Sequence, residues 1–73
     1  MPSSRELDNW FTYHAADEAQ RAHYEAIRQA GRAMAQCIVE HTPPCADQTV
    51  AVRKLREVVM IANAAIACHD GAV

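Results

Sequence analysis

From Val58 to Ala67 the chain reads Val-Val-Met-Ile-Ala-Asn-Ala-Ala-Ile-Ala, with no charge, no glycine, no proline and Asn63 as its one polar side chain. Set on a helix at about 100° per residue, Leu55, Val59, Ala62 and Ile66 form one stripe. Met60, Ile61, Ala64 and Ala67 fall on the opposite side. A helix that is apolar all round is buried all round. The stretch is shorter than the roughly 20 apolar residues that a bilayer span requires, so no membrane partner is expected. One stripe is therefore assigned to another helix of the same chain, and the other to another copy of the chain. The alanines allow backbones to approach closely. Asn63 at such a seam is expected to be half sheltered and hydrogen-bonded, because buried polar groups nearly always find partners.

A chain of 73 residues has room for one domain. Hydrophobic residues make up 51%, but many are alanines, and aromatics contribute only 5%. Two helices so composed cannot bury enough area to be stable alone, and association is the expected remedy. A net charge of −2 argues against binding duplex nucleic acid, whose partners are normally strongly basic. It leaves room for a small anionic ligand, which needs only a few local cations. Met1-Pro2-Ser3-Ser4 lacks the apolar run of a signal peptide, and three cysteines without framework spacing suggest reduced thiols in a cytosol.

The expected fold is all-α: an antiparallel two-helix hairpin with a short N-terminal helix, assembled as a homo-oligomer. Ser3 and Glu6 form a capping-box pattern that opens the short helix, about residues 3–10. Leu7, Trp10 and Phe11 are placed to cover the open end of the hairpin. Phe11-Thr12-Tyr13-His14 reads as a non-helical connector, dense in rings for a chain so poor in aromatics. The first long helix spans about 17–41, with Asp17 and Glu18 at the positive end of its macrodipole. Ile27, Gly31, Met34 and Ile38 give its apolar stripe, with Tyr24 at the edge. Gly31 costs about 1 kcal/mol relative to alanine inside a helix, which a close helix crossing would explain. Arg21, Arg28 and Arg32 run along one border, with Glu25 expected to pair weakly with Arg21. His41-Thr42-Pro43-Pro44-Cys45 is the turn, since two prolines stop a helix and hold the chain extended. The second long helix spans about 46–69, with Cys45 as a weak cap three residues before Gln48 and Gly71 marking the stop.

Three chemistries compete for these residues. Cys37, His41 and Cys45 near the turn, and His14, His23, Cys68 and His69 at the other end, offer metal donors. They split into two clusters without the paired spacings of structural zinc, so no metal and no cofactor are expected. A thiol beside His41 lacks an oxyanion loop and a cleft that excludes water, so the chain is not expected to be an enzyme. An anion-plus-base pocket remains. Arg28 and Arg32 can grip phosphate oxygens with guanidinium forks. Phe11 and Tyr13 can stack on bases, and His14 or Asn63 can read their edges. On one convex protomer such groups are dispersed, whereas between two protomers they close a pocket. The plainer alternative is a solvated helix flank on a structural or protein-binding helical oligomer with no nucleotide ligand.

Phe11-Thr12-Tyr13-His14, Tyr24-Glu25-Ala26-Ile27-Arg28, the proline turn, Val50-Ala51-Val52-Arg53-Lys54-Leu55 and Met60-Ile61-Ala62-Asn63-Ala64-Ala65-Ile66-Ala67 follow one another in this chain. In that order they resemble the small helical-hairpin domain of the phage anti-CBASS cyclic-oligonucleotide sponges, shared with Thoeris-inhibiting sponges. The likeness covers about residues 11–69. It implies a homohexamer in the cytoplasm of an infected bacterial host. It also implies capture, without degradation, of cyclic dinucleotides such as cyclic GMP-AMP between paired protomers, so that host CBASS effectors stay inactive. By this likeness Tyr13 stacks on a base and Arg28 meets a phosphate, with Phe11, His14, Tyr24 and Arg32 around them. The family's second pocket, for cyclic trinucleotides, maps to Asn63, Cys68 and His69, where Cys68 stands at the place given to an arginine. A thiol cannot make an arginine-like phosphate contact. Cys45 in place of a capping serine and Ile61 in place of a tryptophan are two further departures.

Overall fold

Reciprocal hydrogen bonds start the first two helices. In the computed structural model, which describes residues 1–69, the chain forms α1 (Ser4–Trp10), α2 (Glu18–His41) and α3 (Ala46–His69). Ser3 Oγ accepts from the Glu6 amide at 3.1 Å, and Glu6 Oε1 accepts from the Ser3 amide at 3.4 Å, completing the box expected there. A second box opens α2: Asp17 Oδ1 accepts from the Gln20 amide at 2.8 Å, and Gln20 Oε1 from the Asp17 amide at 3.1 Å. Together they satisfy amides that a helix start otherwise leaves unpaired. The stop expected at Gly71 lies outside the described residues.

Thr42, which precedes Pro43, is extended at φ −127° and ψ 152°, as proline demands of its predecessor. Its hydroxyl donates to the Ile38 carbonyl at 2.6 Å, and the Gln48 side chain reaches across the turn to donate to the Thr42 carbonyl at 3.1 Å. Cys45 Sγ is the only side-chain acceptor found for the Gln48 amide, at 3.5 Å. A thiol is a poor acceptor, so Cys45→Ser will stabilise the chain by about 0.5 kcal/mol through a better cap. The measurement is the urea midpoint of the two proteins at equal concentration.

α2 and α3 pack along their length and α1 rests on α3. Ile27, Gly31, Ala35 and Ile38 of α2 are half-buried, and they face Val52, Leu55, Val59 and Ala62 of α3, with Ile66 buried at the far end. Met34, expected in this stripe, is instead 52% exposed, and Ala35 takes its place. The cause is proximity: a Cβ built on Gly31 would lie 2.6 Å from Val59 Cγ2, so the crossing admits only small residues. The longer side chain turns outward. Ala67, assigned to the outer side of α3, is half-buried as well. Asn63 is half-buried as expected, but its Oδ1 has no hydrogen-bond partner, contrary to the expectation that it would be bonded. It faces the seam between two helices whose own backbones are already internally paired.

Only Ile66, at 5% exposure, and Gln20, at 7%, are buried among the described residues. The outer face of α3 carries Val58, Met60 and Ile61 in the open, with Ile61 70% exposed. No helix among the described residues is long and apolar enough to cross a membrane.

Candidate functional site

Two concave regions take in four of the six expected ligand-binding residues, Arg28 and Arg32 in one and Tyr13 and His14 in the other. The first is a groove of about 260 Å³ midway along the hairpin, lined by Arg28 and Arg32 from α2 and Arg56 from α3. Gly31, Leu55 and Val59 also line it, so its wall is mainly aliphatic. Arg28 and Arg32 stand one turn apart and therefore share a helix face. Arg56 stands in sequence among Arg53, Lys54 and Glu57, yet it precedes Val59 by three residues and so borders the same seam. Its position relative to Val59 repeats that of Arg28 relative to Gly31, which is the signal in the sequence that identifies it.

Arg28 is engaged on its own helix. Its Nη2 donates to Glu25 Oε2 at 3.0 Å, while Gln29 donates to Glu25 Oε1 at 2.9 Å. These hydrogen bonds, that from Arg28 foremost, hold the Glu25 carboxyl below the usual carboxylate range. The partner expected for Glu25 was Arg21; the i, i+3 geometry to Arg28 is the one adopted. Both members are more than half exposed, and exposed pairs of this kind contribute little. An incoming anion can therefore exchange with Glu25 at small cost. Lys54 is likewise held by Glu57 at 3.4 Å, whereas Arg32 and Arg56 have no ion-pair partner among the described residues.

The second region lies at the open end of the hairpin, where α1 meets α3. It is a hollow of about 490 Å³ lined mainly by polar groups, among them Tyr13, His14, Asp17, Gln20 and Cys68. Asn9 anchors this end: its Nδ2 donates to the Cys68 carbonyl at 3.0 Å, and its own carbonyl lies 2.7 Å from His14 Nε2. The connector is therefore held by two polar contacts, and Tyr13 projects from it 87% exposed. Phe11 is 84% exposed and lines neither region. Tyr24 is half-buried and lines neither region.

Tyr13 and Arg28 are therefore not brought together within one chain. Ten residues of α2 separate Glu18 from Arg28, which at the helical rise is about 15 Å. Of the residues assigned to a second pocket, Cys68 and His69 share a shallow depression with Trp10 and Ile61, of about 210 Å³. Asn63 does not line that depression. At the turn, Cys37 Sγ lies 3.9 Å from His41 Nδ1, which is itself 2.9 Å from the Cys37 carbonyl. Among the described residues no three histidine, cysteine or acidic side chains gather as a metal site would require.

Comparison with curated proteins and with solved structures gives no significant match. A family model does match: that of the Acb2/Tad1 hairpin domain, over residues 3–67. The match runs from the cap of α1 into the last turns of α3 and takes in the whole of the first concave region and all of the second but Cys68. The chain belongs to the Acb2/Tad1 hairpin-domain family, that of the anti-CBASS and anti-Thoeris sponges.

Proposed function

We propose that this protein is a phage counter-defence sponge that binds cyclic oligonucleotide second messengers and holds them without degrading them. The ligands are cyclic dinucleotides such as cyclic GMP-AMP, with cyclic trinucleotides as candidates for the depression at Cys68 and His69. Held ligand is unavailable to CBASS effectors in the cytoplasm of the infected host. The observation that carries this reading is the groove rimmed by Arg28, Arg32 and Arg56 in a member of this family whose net charge is −2. Cations gathered against the overall balance favour an anionic ligand.

A sponge must outcompete a sensor, and nanomolar affinity corresponds to about −12 kcal/mol. Such affinity for a small ligand requires near-complete enclosure with desolvated anchors. One hairpin offers only open grooves, and its Tyr13 stands far from its own Arg28. Two copies, with Tyr13 of one over the groove of the other, supply base stacking and phosphate contacts at once. The apolar outer face of α3 provides the surface for such assembly, with a hexamer as the family's arrangement.

The test is calorimetry with cyclic GMP-AMP. Wild type is expected to bind tightly, and Tyr13→Ala or Arg28→Ala to weaken binding at least about tenfold each, the loss of one stacking or charge-assisted contact. Heat denaturation of the complex should return the nucleotide intact. No binding by wild type would remove the function, and full affinity in both variants would remove the site. The exposed face of α3 also suits a protein-binding helical oligomer without a nucleotide, and that reading predicts assembly with no heat of nucleotide binding.

A further inference from the structure

Arg32 and Arg56 project from different helices onto one groove, and neither has an ion-pair partner among the described residues. Arg28 pairs with Glu25 and Lys54 with Glu57, each within one helical turn, whereas Arg5, Arg21 and Arg53, like Arg32 and Arg56, have no ion-pair partner among the described residues. Acidic residues outnumber Lys and Arg nine to seven, so carboxylates are not scarce. What sets Arg32 and Arg56 apart from the other unpaired arginines is that both line one mainly aliphatic groove, where Arg5, Arg21 and Arg53 do not. Gly31 sets the geometry, since the close approach of Val59 brings α3, and with it Arg56, up to the Arg32 side of α2.

We propose that Arg56 is a ligand-binding residue which, with Arg32, forms a second anion clamp beside Arg28 for a second phosphate of the same ligand. This rests on the sponge reading for the ligand's identity, and adds to it a residue on α3 and a count of phosphates. The site grips two phosphate groups, one at Arg28 after exchange with Glu25 and one between Arg32 and Arg56. A ligand with two phosphodiesters is then favoured over one with a single phosphate. A purely structural role would have the Arg56 stem cover Val59 while its head stays in water. That role predicts normal binding once the stem is kept.

The experiment titrates cyclic GMP-AMP and inorganic pyrophosphate into wild type, Arg28→Ala, Arg56→Ala, Arg56→Lys and the off-groove control Arg53→Ala, with helicity checked by circular dichroism. Arg56→Ala is expected to lose about tenfold to a hundredfold in affinity for cyclic GMP-AMP, the range for one charge-assisted contact, and to show a shallower salt dependence. Arg56→Lys, which keeps stem and charge but not the fork, should fall between, and Arg53→Ala should match wild type. Wild-type affinity in both Arg56 variants, with Arg28→Ala still impaired, overturns the clamp and leaves the sponge reading standing. Pyrophosphate bound through Arg56 without any cyclic GMP-AMP binding supports the clamp and removes the sponge reading. Binding of neither overturns both.

Discussion

Ile61→Glu is expected to break the proposed assembly into single chains and to abolish cyclic-dinucleotide binding with it. Ile61 is 70% exposed on one chain, and Val58 and Met60 beside it are 59% and 64% exposed. Within the hairpin itself Ile66 is the one buried hydrophobic residue among those described. The outer face of α3 therefore carries apolar surface that the hairpin leaves uncovered. If copies meet there, the substitution buries an unpaired carboxylate, at a cost of several kcal/mol. In a symmetric contact each copy contributes the same change, so the cost is met twice. The dissociation constant of the assembly should rise on the order of a thousandfold, read by analytical ultracentrifugation across a concentration series. Ile61→Ala, which removes area but adds no charge, should shift it far less. Ligand binding should fall in step with assembly, because the proposed site joins Tyr13 of one copy to Arg28 of another. A fully assembled Ile61→Glu protein with wild-type affinity would show that this face joins nothing.

Much of the local architecture could be read from the residues. Ser3 with Glu6, Thr42 before Pro43, and the apolar run of α3 act within a few residues of themselves, and the helix starts and the turn follow from them. What failed depended on distance across the hairpin. Met34 and Ala35 both fit the period of the stripe, and hydrophobicity favours methionine. The closeness of α2 to α3 at Gly31 selects alanine, and closeness is a property of two helices together. Asn63 was expected to find a partner, but helices facing it have no free backbone groups to offer, so its Oδ1 stays unpaired. Glu25 had arginines available on both sides, at Arg21 and Arg28, and side-chain reach decided between them.

The candidate site divided in the same way. Arg28 and Arg32 could be joined from spacing alone, since one helical turn separates them. Arg56 could not be joined to them without the register of α3 against α2, because its neighbours in sequence, Arg53, Lys54 and Glu57, read as a solvated flank. Tyr13 and His14 do share one hollow, but the length of α2 sets them apart from the arginines. That separation turns the pairing of Tyr13 with Arg28 into a statement about two chains.

Gly31→Val should be among the most damaging single changes within the hairpin, and its cause can be isolated. Glycine inside a helix is unfavourable by about 1 kcal/mol relative to alanine, so on propensity alone Gly31→Ala would stabilise α2. Sterics oppose this: the new Cβ would sit 2.6 Å from Val59 Cγ2, well inside van der Waals contact. Val59 is β-branched and stiff at χ1, so its methyl cannot swing away cheaply. Overpacking of this kind costs about 1–3 kcal/mol, so Gly31→Ala should be destabilising by up to about 2 kcal/mol after the propensity gain. Gly31→Val adds two methyl groups at the same point and should leave little folded protein at ambient temperature. Val59→Ala removes the obstructing methyl, and the Gly31→Ala, Val59→Ala double variant should be more stable than the sum of its single changes by about 1 kcal/mol or more. A double-mutant cycle from urea denaturation at fixed protein concentration measures that coupling. Forcing the helices apart also carries Arg56 away from Arg28 and Arg32, so Gly31→Ala should lose ligand affinity even where it remains folded. Additive energies in the cycle would mean that α2 and α3 do not touch at Gly31 and Val59, and the groove between them would lose the contact that sets its width.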